Sequence, residues 1–202
     1  MIVEKITGTK QLPAKAEHSI SNQNWVEAPG VHASFSIRHD GSSIYLYYQV
    51  DEPQVRAVNT RFNSPVWEDS CVEFFISFGD DDGYYNFEIN AIGTILGAYG
   101  IDRHKRFHLA DSLLTQIVTS PSLERKPIEN LEHRTFWSMQ LNIPIRVFHF
   151  SRIKTLSGVD AHANFYKCGD KLKQPHFLSW KPVLSSTPDF HTPRYFGQLS
   201  FL

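Results

Sequence analysis

Trp67 and Glu73 are the residues of this chain whose types and spacing first suggest chemistry. The run Trp67-Glu68-Asp69-Ser70-Cys71-Val72-Glu73-Phe74-Phe75-Ile76 sets a large flat ring in a polar turn and then a carboxylate inside an alternating segment. From Cys71 onward the pattern has a period of two, with Val72, Phe74, Ile76 and Phe78 on an apolar face and Cys71, Glu73, Phe75 and Ser77 on the other. An exposed indole beside a carboxylate suits a pyranose ring, whose axial C–H patch packs on an aromatic face while its hydroxyls seek charged acceptors. Taken alone, a core tryptophan at the start of a strand, with Glu73 merely solvated, explains the same residues at least as well.

A second segment extends the pattern. Tyr84, Asn86, Glu88 and Asn90 alternate with Tyr85, Phe87, Ile89 and Ala91, and the turn Gly79-Asp80-Asp81-Asp82-Gly83 separates the two runs. If they pair as a hairpin, Glu73, Glu88 and Asn90 share one sheet surface with Trp67 at its edge. A solvated outer sheet face commonly carries Glu and Asn as well. Paired carboxylates are also what a glycosidase needs, one as acid and the other as base or nucleophile, which makes Glu73 and Glu88 the candidates for a catalytic alternative.

The elements that must position these residues are short strands. Alternating runs recur at Val31–Ile37, Ile44–Val50, Val72–Phe78, Tyr85–Ala91, Trp137–Ile143, Val159–Phe165 and Leu199–Phe201, separated by turn residues such as Asp40-Gly41-Ser42 and Cys168-Gly169-Asp170. This predicts an all-β, antiparallel sandwich of jelly-roll or immunoglobulin-like type, formed as a single domain over residues 1–202. Helical signal is confined to short turns, one beginning at Pro144 and one over Ala110–Leu114.

Composition narrows the partner. Lys and Arg number 20 against 21 Asp and Glu, a formal net charge of −1, so neither nucleic acid nor an anionic membrane is favoured. Aromatics at 13% suit sheets, with some rings in the core and some left over for a ligand. Glu4 and Lys5 interrupt the start of the chain where a secretory leader would be apolar, so a cytoplasmic location is expected unless a leader has been removed. Cys71 and Cys168 lie far apart in sequence without a Cys-x-x-Cys pattern, which argues for free thiols. Asp102–His108 places His104 and His108 at helical spacing, but Arg103, Lys105 and Arg106 would crowd a cation there, and the stretch reads as a basic surface loop.

Four blocks carry a resemblance. Trp67–Phe75, Tyr85–Asn90, Leu178–Pro182 and Asp189–Gly197 resemble, in that order, the family 9 carbohydrate-binding modules, with similarity from about Asp40 to Leu202. The resemblance implies a jelly-roll-like sandwich, often attached to xylanases and so partnered by glycoside hydrolases, that holds a saccharide end between two aromatic rings. It implies Trp67 as one platform, Phe190 as the second, Glu73 and Asn90 as hydroxyl-binding residues, and Glu88 where the xylanase modules carry an arginine. Arg103 or Arg106 is then the candidate to replace that arginine. The resemblance is to non-catalytic modules, so binding is favoured over hydrolysis and no cofactor is required. Family members hold structural calcium in loops, for which Asp80 and Asp82 are the available carboxylates, although a bare acidic turn explains them better. Related dopamine-monooxygenase-like domains share the architecture and some bind heme, but axial ligation has only Met1 and Met139 or a histidine to draw on, and Met139 falls on an apolar face.

Overall fold

The alternating runs become strands of a β-sandwich in the computed structural model, which describes residues 1–8 and 14–202. In chain order the strands are β1 (Ile2–Val3), β2 (His18–Ile20), β3 (Asn22–Gln23), β4 (His32–His39), β5 (Ser43–Glu52), β6 (Val55–Ala57), β7 (Cys71–Phe78), β8 (Tyr84–Asn90), β9 (Ile95–Gly100), β10 (Arg106–His108), β11 (Val118–Pro121), β12 (Ile128–Leu131), β13 (Thr135–Pro144), β14 (Asp160–Cys168), β15 (Phe177–Ser179) and β16 (Gly197–Phe201). Between β10 and β11 lies one short helix, α1 (Asp111–Leu114). The larger sheet runs β1-β16-β14-β7-β8-β9-β10, with β15 on β14 and β3 on β15; the smaller runs β11-β13-β5-β4-β2, and β12 pairs with β6. These strands pair antiparallel except β1 with β16.

The period of two decides what lies between the sheets. Val72, Phe74, Ile76 and Phe78 of β7 join Tyr85, Phe87 and Ile89 of β8 and Phe165 of β14 against Phe35, Tyr48 and Trp137 of the smaller sheet. The Phe35 and Phe165 rings stack across the sandwich at 3.7 Å, and Phe74 stacks on Phe165 at 5.1 Å. Met139 is fully buried in the same core, where packing accounts for it. Pro144 caps a single 3-10 turn, Ile145–Val147, from just outside its first residue. The 102–108 stretch is a bend leading into β10 and not a helix, so His104 and His108 share no helical face. No helix among the described residues is long and apolar enough to cross a membrane.

The opposite face of the larger sheet is covered as well. Val66, Val183, Phe190 and Phe196 fold over Cys71, Phe75, Tyr84, Tyr166 and Cys168 as a second apolar cluster, with Trp25, Phe177 and Tyr195 packed at its margin. Phe75 explains why: it sits on the polar side of the alternation, and such a ring must be covered to leave water. A solvated outer face is therefore not what these strands present.

Candidate functional site

Where the covering segments fail to close over this face, a cavity of about 280 Å³ remains. Its floor comes from β7, β8 and β14. Glu73 and Glu88 are directly opposite one another across the β7–β8 ladder, and Tyr166 of β14 flanks Glu73 on the other side. Both acids line the cavity, each 3% exposed, together with Cys168 at the end of β14. The walls are Trp67 and Trp25, Asp170 beyond β14, Arg103 from the β9–β10 connection, Arg106 at the start of β10, and Pro188–His191 from the long segment before β16. The tight β9–β10 connection depends on Gly100, where an added Cβ would lie 2.3 Å from the Lys105 carbonyl oxygen. Five of the sequence candidates, Trp67, Glu73, Glu88, Arg103 and Phe190, thus meet in one place.

Asn90 does not join them. It is fully buried behind the cavity, where its Nδ2 donates to Asn59 O at 2.8 Å and Asp69 Oδ2 at 2.9 Å while its Oδ1 accepts from Thr94 N at 2.9 Å. The alternation put it on the correct face, but it lies at the end of β8, where the 55–70 segment closes over it. Asp69 is the centre of that network, accepting from Asn59 N at 3.0 Å and Val58 N at 3.2 Å and pairing with Arg56. The adjoining 3-10 turn Val66–Glu68 is held from the far side by Asp170 N on Trp67 O at 3.2 Å and Lys171 N on Glu68 O at 3.0 Å. With its backbone pinned at both ends, the Trp67 ring stands 38% exposed.

The second ring differs from expectation. Phe190 is only 8% exposed, stacked on Tyr166 at 4.0 Å, with Trp25 against it at 5.5 Å. Trp25 is half-buried, donates from Nε1 to Ser185 O at 2.7 Å and has φ of 67°, a left-handed conformation unusual for a bulky residue. It is brought here by β3, which pairs with β15. Periodicity offered no sign of it. The signal it did carry was that of Trp67, a large ring in a polar stretch, Asn22-Gln23-Asn24-Trp25.

Charge in the cavity is arranged in pairs. Burial, followed by the neighbouring Glu88 carboxylate, pushes Glu73 well above the ordinary carboxylate range. Glu73 Oε1 accepts the Cys168 thiol at 2.9 Å. Glu88 is raised by burial to about 7, against the pull of Arg106, whose Nη2 lies 3.5 Å from Glu88 Oε1. Asn86 Nδ2 also donates to Oε1 at 3.0 Å, while the buried Oε2 has no hydrogen-bond partner among the described residues. Asp170 is raised by burial to about 6 with Arg103 opposing, and His191 is lowered to about 2 by burial and then by Arg106. His191 Nδ1 is 2.9 Å from Tyr84 Oη, and Arg106 Nη1 is 2.8 Å from its Nε2.

The model of carbohydrate-binding family 9 matches residues 5–201. The chain belongs to this family. A protein from Bacteroides uniformis, provisionally described as carbohydrate-binding, is 36% identical, with a TM-score of 0.92 over 100% of this chain and 98% of that one. Two structures of a family 9 module from Caldicellulosiruptor kristjanssonii share the fold. One, in complex with glucose, is 13% identical with a TM-score of 0.60, covering 100% of this chain and 96% of that one. The other, in complex with cellotriose, is 12% identical with a TM-score of 0.63, covering 100% and 92%. Among curated proteins none matches.

Non-catalytic carbohydrate binding is the function that comes with a family 9 module. The acidic turn does not fit the calcium that the resemblance allowed: Asp80 and Asp82 are exposed at its tip, and Asp81 takes a hydrogen bond from Ser151. No third carboxylate converges with them among the described residues. A second cavity, of about 200 Å³ beside Glu52 and His176, has no Phe, Tyr or Trp in its lining and so lacks a stacking surface.

Proposed function

We propose that this family 9 module holds the terminal ring of a saccharide in the Trp67 cavity, with Trp67 and Trp25 as its aromatic walls and Phe190 as the support beneath Trp25. Glu73, Glu88, Arg103 and Arg106 take the hydroxyls. The observation that carries this reading is the unpartnered, buried Glu88 Oε2 beside an exposed indole in one cavity. Leaving such an acceptor unmade costs about 1–3 kcal/mol, which a sugar hydroxyl would recover. At about 280 Å³ the space falls just below the roughly 300–1,000 Å³ of drug-sized sites, a size for one ring end-on rather than a run of chain. The glucose and cellotriose held by the Caldicellulosiruptor modules support a hexopyranose as the ligand.

Calorimetric titration with glucose and cello-oligosaccharides, after a glycan array has ranked ligands, tests the proposal. Each stacked ring contributes about 0.5–1.5 kcal/mol beyond its buried area. Trp67→Ala should therefore weaken binding about tenfold or more while leaving the melting temperature near that of the wild type. An unchanged Kd in a folded Trp67→Ala protein would remove the indole, and with it this site, from the binding mechanism.

A further inference from the structure

We infer that Cys71, Cys168 and Glu73 form a site for a thiophilic divalent metal ion of the zinc type, with its fourth coordination position open to the cavity. Antiparallel pairing sets Cys71, the first residue of β7, directly opposite Cys168, the last residue of β14. Glu73 lies two positions along the same face of β7. The two Sγ atoms and a Glu73 carboxylate oxygen all lie within 4.8 Å of one another, and all three residues are buried.

The distances suit a small tetrahedral ion. With Zn–S near 2.3 Å and Zn–O near 2.0 Å, tetrahedral ligand atoms stand about 3.5–3.8 Å apart. The 2.9 Å contact between Cys168 Sγ and Glu73 Oε1 must therefore open by about 0.6 Å, and the other separations close by at most about 1.3 Å. Two sulfurs and one oxygen select zinc, cadmium or cobalt over calcium or magnesium. Three protein ligands with a vacant fourth position are the pattern of a zinc site that accepts an outside ligand.

Access is also provided. Cys168 and Glu73 both line the cavity, so an ion can reach them from solvent. The neighbouring cations are already engaged, Arg106 with Glu88 and Arg103 opposite Asp170. As the ion enters, each thiol releases its proton to solvent, as does Glu73 where it carries one, and no electrons are transferred. The bound ion then occupies one Glu73 oxygen and offers its open position to a water or hydroxyl in the cavity. The inference stands on these three residues and does not depend on the saccharide reading.

Cobalt titrated into the full-length, thiol-reduced, metal-stripped protein tests it. The expected result is a near-ultraviolet sulfur-to-cobalt charge-transfer band that saturates at one equivalent and is displaced by zinc. Cys71→Ser and Cys168→Ser should each lose at least half of that band and weaken zinc binding at least tenfold, with thermal melts of the metal-free variants reporting that they remain folded. If a serine variant unfolds, the chemical shift of cadmium-113 bound to the wild type reads sulfur ligation directly. Absence of the band at stoichiometric cobalt, its persistence in the double serine variant, or a cadmium shift typical of oxygen ligands alone overturns the site. Saccharide titration of the metal-free wild type is scored separately, so failure of either reading leaves the other standing.

Discussion

Asp69 is the residue on which the Trp67 platform depends. It is fully buried, and its carboxylate gathers two backbone N–H groups, the Asn59 and Asn90 side-chain amides and Arg56. A buried carboxylate stripped from such a set leaves several donors unmet, and breaking a buried ion pair costs about 3–5 kcal/mol. Asp69→Ala should lower the urea midpoint by a corresponding amount and weaken saccharide binding, because the turn bearing Trp67 loses its anchor. Asn90→Ala removes only one of those donors and should cost about 1–3 kcal/mol in the same denaturation experiment. Its effect on affinity should be smaller than that of Trp67→Ala, since Asn90 acts through the turn and not on the ligand. An Asn90→Ala protein of normal stability with binding abolished would instead make Asn90 a direct ligand residue.

At the scale of elements, a buried ion pair ties the two sheets together. Lys167 of β14 and Glu52 at the end of β5 are both fully buried, with Nζ and Oε2 2.9 Å apart. The remaining partners are nearby: Trp137 Nε1 of β13 donates to Glu52 Oε1 at 2.7 Å, and Lys167 Nζ donates to Cys168 O at 2.8 Å and reaches His176 Nε2 at 2.8 Å. Glu52→Ala should cost about 3–5 kcal/mol, because an unpaired ammonium is left in the core. Replacing both partners, Glu52→Leu with Lys167→Met, should recover most of that loss. A double-mutant cycle by urea denaturation measures the coupling, and a double variant no better than Glu52→Ala would show that the pair is not what holds these strand ends. The same elements set how the site is built, since β15 follows directly from His176 and carries β3, and with it Trp25, to the cavity wall.

For the whole molecule, two deeply buried histidines contribute to the response to acid. His176 and His191 are both held down to about 2, by burial and then by Lys167 and Arg106 respectively. Between the ordinary histidine value of about 6.5 and about 2, the unfolded chain binds protons that the folded chain refuses. Their contribution is therefore complete above pH 6.5 or so and falls as pH drops. Glu88 and Asp170, raised to about 7 and about 6, act in the opposite direction until both states protonate them. Below about pH 4 each of the two histidines adds up to about 1.4 kcal/mol of lost stability per pH unit, in the same direction as the lowered carboxyl groups of Asp40, Asp102 and Glu132. Urea midpoints measured from pH 4 to pH 3 should fall more steeply for the wild type than for His176→Gln, whose amide oxygen can still face Lys167. Equal slopes would mean that His176 is protonated in the folded protein.

The sequence by itself determined the sandwich and the facing of its strands. A period of two is a local property, so Val72, Phe74 and Phe165 were bound to the core, and Glu73 and Glu88 to the opposite side, whatever the partners of β7, β8 and β14. It also marked Trp67, Arg103 and Phe190, which the fold does bring together. What only the tertiary structure decided was which distant residues complete the face. The register of β7 against β14 makes neighbours of two cysteines that are far apart in sequence, β3 on β15 supplies Trp25 from an aperiodic segment, and the closing 55–70 segment withdraws Asn90 into the Asp69 network. Alternation assigns a side chain to a face. It says nothing of which strand lies alongside or which loop closes above, because those follow from the burial of Phe75, Phe190 and Tyr166 in three dimensions.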